Sequence, residues 1–126
     1  MLVGYVAGPY RSNTEWGLVY NIRMSEEWSL YGWSQGCAMI SPHKNTAHFG
    51  GAMGLEDRIW LDGDLEIIRR CDFVLLVPGW ERSSGTLAEI EFAKKFDIPL
   101  FYMPQDQRKF EAWKESVNLA YEGNDE

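Results

Sequence analysis

The chain has 126 residues, a formal net charge of −7, 45% hydrophobic residues and 25% charged residues. This size and composition are typical of one globular domain, near the lower size limit for a sheet covered by helices on both faces. The acidic balance argues against duplex nucleic acid or an anionic membrane surface as a partner. No apolar stretch approaches the roughly 20 residues that a membrane-spanning helix needs.

The two cysteines indicate a reducing compartment. Cys37 and Cys71 are far apart, lack Cys-x-x-Cys spacing, and each stands beside a strand-like apolar run. This pattern predicts two buried free thiols. The first residues lack the charged and apolar regions of a signal peptide. We therefore expect a cytoplasmic protein that does not associate with membranes.

Apolar periodicity predicts four strands that alternate with four helices. The strands are expected at 2–7, 37–40, 73–77 and 98–102, and the helices at about 14–34, 55–70, 86–96 and 105–121. Between the second strand and the second helix, the glycine-rich segment 44–54 is interpreted as a mobile loop that could form a lid. The alternation predicts a flavodoxin-like or Rossmann-like three-layer sandwich, with a parallel sheet of four or five strands and helices on both faces.

Three helices show apolar faces that we expect to point inward. The expected inward residues are Ile22, Ser25, Ser29 and Trp33 in the first helix, Ile59, Leu61, Leu65 and Ile68 in the second, and Phe110, Trp113, Val117 and Ala120 in the last. Residues 1–126 are expected to form one domain, with 122–126 as a frayed tail.

Polar residues follow the predicted strands at the edge where parallel sheets bind ligands. They are Gly8 and Arg11 after the first strand, His43 and Asn45 after the second, Ser83, Ser84, Gly85 and Glu89 after the third, and Asp64 in the second helix. Serine hydroxyls and helix N-terminal amides are suited to bind phosphate, and Gly85 would let a ligand approach the backbone. Glu89, expected in the first helical turn, should have its charged form favoured, which suits a nucleophile.

Several common sites are not supported by the sequence. There is no Gly-x-Gly-x-x-Gly after the first strand and no Walker A lysine. His43 and His48 have poor spacing for zinc, and Ser83 and Ser84 lack a nucleophile-elbow pattern. We therefore expect neither a metal nor an organic cofactor.

Four segments together resemble the nucleoside 2-deoxyribosyltransferase superfamily. They are 5–9, 41–46, 64–72 and 78–89, which keep the order and spacing of that superfamily. It includes 2′-deoxynucleoside 5′-monophosphate N-hydrolases and small, mostly phage and bacterial, members of unassigned function. The resemblance implies that Glu89 attacks the anomeric carbon and forms a glycosyl-enzyme ester. It implies that Asp64 assists the base or leaving group, and that Tyr5 orients the nucleophile or the sugar.

The resemblance also implies how the substrate is held. Arg11 and Ser83 match the residues that bind the 5′-phosphate in the nucleotide hydrolases, whereas transferases commonly have an acidic residue where Ser83 stands. This difference favours a phosphorylated substrate. His43 occupies the place of a loop residue that approaches the nucleobase. The superfamily forms dimers or larger assemblies, and exposed aromatic helices with Trp16, Trp28 and Trp113 are expected to suit such a contact.

The leading hypothesis is cleavage of the N-glycosidic bond of a 2′-deoxynucleoside 5′-monophosphate. Base exchange on free deoxynucleosides is the near alternative, and a non-catalytic nucleotide-binding module or a purely structural oligomer are the others. Simple structural roles also stay open, because Ser83 and Ser84 could only cap a helix and Tyr5 could only fill the core. The nucleobase and the preference for ribose or deoxyribose stay open as well.

Overall fold

A parallel sheet of four strands in the order β2-β1-β3-β4 forms the centre of the fold. In this computed structural model, which describes the backbone of residues 1–124 and the side chains of residues 1–120, the strands are β1 (Val3–Ala7), β2 (Ala38–Ile40), β3 (Phe73–Leu76) and β4 (Leu100–Tyr102). Each neighbouring pair is parallel, and Tyr5 of β1 lies between Ile40 and Val74. The chain changes direction between β1 and β3, which is where sheets of this topology bind ligands.

Helices cover both faces of the sheet. They are α1 (Glu15–Ser34), the short α2 (Pro42–Asn45), α3 (Asp57–Arg69), α4 (Ser84–Lys95) and α5 (Gln107–Asn124). Helices α1 and α5 pack on one face, and α3 and α4 pack on the other. The predicted three-layer α/β fold is confirmed. None of the helices in the described part of the chain has the length and apolarity needed to cross a membrane.

Most boundaries differ from the prediction by one or two residues, and the larger differences are in the segment after β2 and in the last helix. The segment 44–54 is not wholly irregular, because α2 ends at Asn45 and a 3-10 turn forms at Ala52–Gly54. A proline at the first position favours the start of α2, since its missing N–H would have no helical partner there. The last helix continues to Asn124, so the tail predicted at 122–126 starts too early. Residues 125 and 126 of that tail lie outside the described residues.

An aromatic cluster fills the face between the sheet, α1 and α5. Phe73 and Phe110 have ring centroids 4.9 Å apart, and Phe101 and Trp113 have centroids 5.3 Å apart. Trp28 and Trp113 pack against this core, so the expectation that both are exposed for an oligomer contact is wrong. Trp16 is 78% exposed. A homo-oligomeric state stays a prediction.

The inward faces of the helices are only partly as predicted. In α1, Ser25 and Gly32 are buried, whereas Trp33 is 54% exposed. The small residues of α1 face the sheet. Gly32 allows this close approach, because a Cβ at position 32 would overlap the side chain of Met39 in β2. In α3, Ile68 is buried, whereas about half of Ile59 and of Leu61 is exposed; Ala120 of α5 is exposed as well. Cys37 and Cys71 are buried free thiols, as predicted.

Gly4 and Gly63 provide a matched pair for testing the packing of the sheet. Gly4→Ala should lower the free energy of unfolding by about 1–3 kcal/mol, because the added methyl would overlap the buried ring of Phe73. Gly63 lies within α3 with no atom within 4 Å of an added Cβ. Gly63→Ala should therefore raise the free energy of unfolding by up to about 1 kcal/mol through helix propensity. Urea denaturation measures both, and a Gly4→Ala variant as stable as the parent would contradict the close packing of β1 on Phe73.

Candidate active site

Tyr5, Asp64 and Glu89 come together on the α3/α4 face of the sheet. The Tyr5 hydroxyl donates a hydrogen bond to Glu89 Oε2 at 2.5 Å, which joins β1 to α4. Tyr5 is fully buried, and Asp64 approaches from α3, which packs against α4. The Asp64 charge raises the pKa values of both Tyr5 and Glu89. The three residues predicted to be catalytic therefore form one polar cluster within an apolar layer.

Burial changes the protonation of this cluster. It raises the pKa of Glu89 to about 8, with a further rise from Asp64 and an opposing effect of the Tyr5 hydrogen bond. Burial also raises the pKa of Asp64 to about 6, and it is the main reason that the pKa of Tyr5 is well above its usual value. The expectation that the helix dipole favours charged Glu89 is thus wrong for the ligand-free protein. Glu89 is the sixth residue of α4, in the second turn rather than the first, where the dipole effect has weakened.

Ser83 caps the N-terminus of α4. Its hydroxyl accepts hydrogen bonds from the Thr86 backbone N–H at 3.2 Å and from the Thr86 hydroxyl at 3.0 Å. Ser84 and Gly85 are the first two helical residues, whose N–H groups have no partner within the helix. Gly85 lies one turn before Glu89 on the same face, and a Cβ there would meet only the Ser83 Oγ at 3.9 Å. Open space therefore borders Gly85 beside two amides that have no partner within the helix.

The loop after β1 holds Gly8 and Arg11. An added Cβ at Gly8 would lie 2.7 Å from the Val77 Cβ, so packing between β1 and β3 by itself requires a glycine there. The Arg11 guanidinium forms an ion pair with Asp57, and the Arg11 side chain is 79% exposed. Arg11 thus already has a carboxylate partner on α3 when no ligand is present.

His43 fastens α2 to the loop after β1. Its Nε2 lies 2.7 Å from the carbonyl oxygen of Pro9, and its ring packs edge-on against Tyr10 with centroids 5.2 Å apart. His43 is 5% exposed, and burial lowers its pKa, so a neutral ring donates to Pro9. The Nε2 atom supports the loop and is not open to a nucleobase. Asn45, the other predicted binding residue of this segment, is exposed at the end of α2.

Segment 46–51 is tied to the same loop and to α3. The His48 backbone N–H donates to the Tyr10 hydroxyl at 2.8 Å. Phe49 packs edge-on against Trp60 of α3, with ring centroids 5.8 Å apart. These contacts hold the predicted lid segment between the end of β1 and the N-terminal half of α3.

Sequence reasoning missed Arg82. A cavity of about 140 Å³ lies where β1 and β3 end, on the α1 face, and Pro9, Asn21, Gly79 and Arg82 are among its lining residues. The Arg82 guanidinium lies so close to Gly79 that a Cβ there would be 2.6 Å from Nη2. No carboxylate of the described residues lies within ion-pair distance of Arg82. Its position directly before Ser83 is the sequence signal that could have identified it.

Metal-binding side chains do not cluster in the part of the chain that the structure describes. No group of three or more His, Cys, Asp or Glu residues is placed to hold a metal ion there. Asp64 and Glu89 therefore stand as a pair of carboxyl groups with a tyrosine as their third polar neighbour.

A family model described as "Domain of unknown function (DUF4406)" matches residues 32–102, which is more than half of the chain. The chain belongs to the DUF4406 family. The matched segment includes Asp64, Ser83 and Glu89, whereas Tyr5 precedes it. No curated protein matches the sequence.

Two solved structures share the fold of this DUF4406 protein. One is a 2-deoxyribosyltransferase from the psychrotolerant bacterium Bacillus psychrosaccharolyticus, with 16% identity and a TM-score of 0.61, covering 79% of this chain and 70% of that one. The other is a conserved protein from Enterococcus faecalis V583, with 21% identity and a TM-score of 0.60, covering 91% of this chain and 76% of that one. The resemblance found in the sequence is thereby confirmed at the level of the fold.

The raised pKa of the half-buried Glu89 carboxyl should make the protein less stable as the pH rises. A glutamate in the unfolded chain titrates near about 4.3, whereas the pKa of folded Glu89 is about 8. Between these values the folded state binds more protons than the unfolded state, so this stabilisation is complete at low pH and is lost toward pH 8. The raised pKa of Asp64 also lowers the stability as the pH rises, up to its value of about 6.

Between about pH 5 and about pH 8, the melting temperature of Glu89→Gln should therefore decrease less with pH than that of the parent protein. Glu91→Gln is the matched control, because Glu91 is exposed on the same helix. Differential scanning calorimetry across this range measures the slopes. A Glu89→Gln slope equal to the parent slope would contradict the raised pKa of Glu89.

Proposed function

We propose that this protein cleaves the N-glycosidic bond of a nucleoside 5′-monophosphate, most simply a 2′-deoxynucleotide, with Glu89 as the nucleophile. The observation that carries the proposal is the hydrogen bond from Tyr5 to Glu89 beside Asp64, near the ligand-binding edge of the sheet. Pairs of carboxyl groups are the usual machinery for breaking glycosidic bonds. The shared fold with a 2-deoxyribosyltransferase supports the same chemistry.

The two carboxyl groups need different protonation states, because the nucleophile must be ionised and the acid must carry a proton. Burial, with a further contribution from the Asp64 charge at Glu89, keeps a proton on the pair near neutral pH. The higher pKa of Glu89 keeps that proton on Glu89 in the ligand-free protein, and the reaction requires its transfer to Asp64. The Tyr5 hydroxyl stabilises the ionised form of Glu89 and so lowers the cost of this transfer. Tyr5 occupies Oε2, which leaves Oε1 of Glu89 available for attack.

In the reaction, Oε1 of Glu89 forms a bond to the anomeric carbon while the bond from that carbon to the base nitrogen breaks. The bonding electron pair leaves with the base, and Asp64 supplies the proton that neutralises it. Water then attacks the anomeric carbon of the glycosyl ester and gives a proton to the Asp64 carboxylate, which releases the sugar phosphate and restores both the Glu89 carboxylate and the Asp64 carboxyl. A second base that attacks the same ester would give base exchange instead, which is the reaction class named for the structural neighbour.

Phosphate recognition is the second part of the proposal. The unpaired amides of Ser84 and Gly85 and the hydroxyls of Ser83 and Ser84 surround the N-terminus of α4, where an anion is favoured. Arg82, which has no acidic partner among the described residues, adds a cation in the adjoining cavity. Although the chain has a net charge of −7, these groups favour the binding of an anion at this place. We assign the phosphate to them, with Arg11 in a lesser role because Asp57 already pairs with it.

Glu89→Gln should lower base release by at least about a thousandfold, because the amide cannot form the glycosyl ester. The assay incubates the protein with deoxynucleoside monophosphates, ribonucleoside monophosphates and free deoxynucleosides, with and without an added base, and follows free base by chromatography. Glu91→Gln on the same helix should keep the parent activity, and Glu89→Gln should still bind nucleotide in calorimetry.

Each other outcome of this assay selects a different function. Full activity of Glu89→Gln would refute the nucleophile. Base exchange on free deoxynucleosides would identify a transferase. Nucleotide binding without turnover by the parent protein would identify a non-catalytic nucleotide-binding module.

Arg82→Ala should raise the KM for the phosphorylated substrate about tenfold or more, because charged hydrogen bonds contribute about 1.5–3 kcal/mol. Hydrolysis of the corresponding free nucleoside should not change, since it has no phosphate to lose. Arg11→Ala is the matched control and should have the smaller effect, because the Arg11 charge is already balanced by Asp57. A large effect of Arg11→Ala with none of Arg82→Ala would place the phosphate at Arg11 instead.

A further inference from the structure

The indole nitrogen of Trp60 is buried and has no hydrogen-bond acceptor among the described residues. No other buried side-chain nitrogen or oxygen in the described part of the chain lacks a partner. Buried polar groups elsewhere are paired, as shown by the hydroxyls of Ser25 and Ser41 at 2.7 Å. An indole nitrogen can only donate, and a buried donor without an acceptor costs folding free energy. Such an orphaned group calls for an explanation.

Trp60 lies beside the candidate active site. It is four residues before Asp64 on α3, so the two side chains share one face of the helix. The same indole contacts Phe49 of segment 46–51, which is held in place by the bond between His48 and Tyr10. Trp60 thus lies on the helix face that carries Asp64 and contacts the aromatic segment that follows α2.

We propose that the Trp60 Nε1–H is a substrate-binding donor of this site, and that it donates to a carbonyl oxygen or an unprotonated ring nitrogen of the nucleobase. The inference rests on the proposed function, because that function supplies the base. Asp64 delivers a proton to the leaving base, and Trp60 is its neighbour on the same helix face. The aromatic rings of Trp60 and Phe49 suit a flat partner.

A neutral donor suits this position for an electrostatic reason. When the glycosidic bond breaks, electron density moves onto the base, and a fixed N–H at a base acceptor then binds more strongly in the transition state than in the ground state. A cationic side chain at the same place would stabilise ionised Asp64 and remove the proton that the base needs. The indole provides the hydrogen bond without that charge.

Trp60→Phe tests the inference because it removes the N–H and keeps an aromatic ring. Calorimetry on the Glu89→Gln background measures nucleotide affinity without turnover, and thermal denaturation measures stability. Trp60→Phe should weaken binding about tenfold, the usual effect of one lost hydrogen bond. The melting temperature should stay the same or rise, because an unpaired buried donor has been removed. Trp16→Phe, at a largely exposed tryptophan of α1, should change neither quantity.

A comparison of two ligands on the Trp60-containing protein keeps the test decisive even if the Trp60→Phe variant folds poorly. In a deaza analogue, one acceptor nitrogen of the base is replaced by carbon. At one acceptor position, the analogue should bind the Trp60-containing protein about tenfold more weakly than the parent nucleotide does. The Trp60→Phe variant should bind the analogue and the parent nucleotide with equal affinity. If no analogue loses affinity for the Trp60-containing protein, the inference is wrong whatever the variant does.

The remaining outcomes separate this inference from the proposed function. Unchanged affinity of Trp60→Phe, with base release by the parent protein, refutes the inference and leaves the function standing. A lower melting temperature with unchanged affinity means that the N–H meets water or the Phe49 ring, and it also refutes the inference. Affinity lost in Trp60→Phe, without base release by the parent, supports the inference and refutes the function. No nucleotide binding by the parent refutes both.

Discussion

The burial of one carboxyl group against one hydroxyl organises this molecule. Glu89 of α4 meets Tyr5 of β1 beside the apolar residues of α3, α4 and the sheet, and this partial burial makes its proton harder to remove. An isolated ionised carboxylate would be unfavourable there, and the Tyr5 hydroxyl is the donor that makes ionisation accessible. Asp64 adds a second acid whose pKa is also raised. The packing of α4 on the sheet and the proton balance of the site therefore depend on the same contact.

The strand order determines on which face of the sheet each part of a ligand could bind. Because β1 lies between β2 and β3, the loops that follow β1 and β3 diverge from one edge. The carboxyl groups lie on the α3/α4 face, and the cavity with Arg82 lies on the α1 face. The start of α4 connects them, since Ser83 follows Arg82 directly and Glu89 is in the second turn. The proposed substrate, which has an anionic end and a cleavable bond near its middle, would fit this arrangement.

Much of the fold could be predicted because it depends on local patterns. The alternation of strands and helices, the parallel sheet with two covered faces, and the buried cysteines follow from apolar runs and turn residues. The placement of Glu89 and Asp64 at one edge of the sheet could be predicted from the order of the elements, whereas Tyr5 could be added only through the resemblance to deoxyribosyltransferases, because it lies inside an apolar strand. Helix faces were less predictable. Trp33 was expected inside and is exposed, because Gly32 allows α1 to approach Met39 closely.

The sequence by itself determined the order of the elements and the edge of the sheet where polar residues gather. Only the tertiary structure decided the protonation of Glu89 and the pairing of Arg11 with Asp57. It also decided that, among the described residues, the Arg82 guanidinium has no carboxylate partner and the Trp60 indole has no acceptor. The physical reason is that a pKa, an ion pair and an unsatisfied donor depend on which distant groups surround an atom. Periodicity reports which side of an element is apolar, but it does not report what stands opposite a polar side chain.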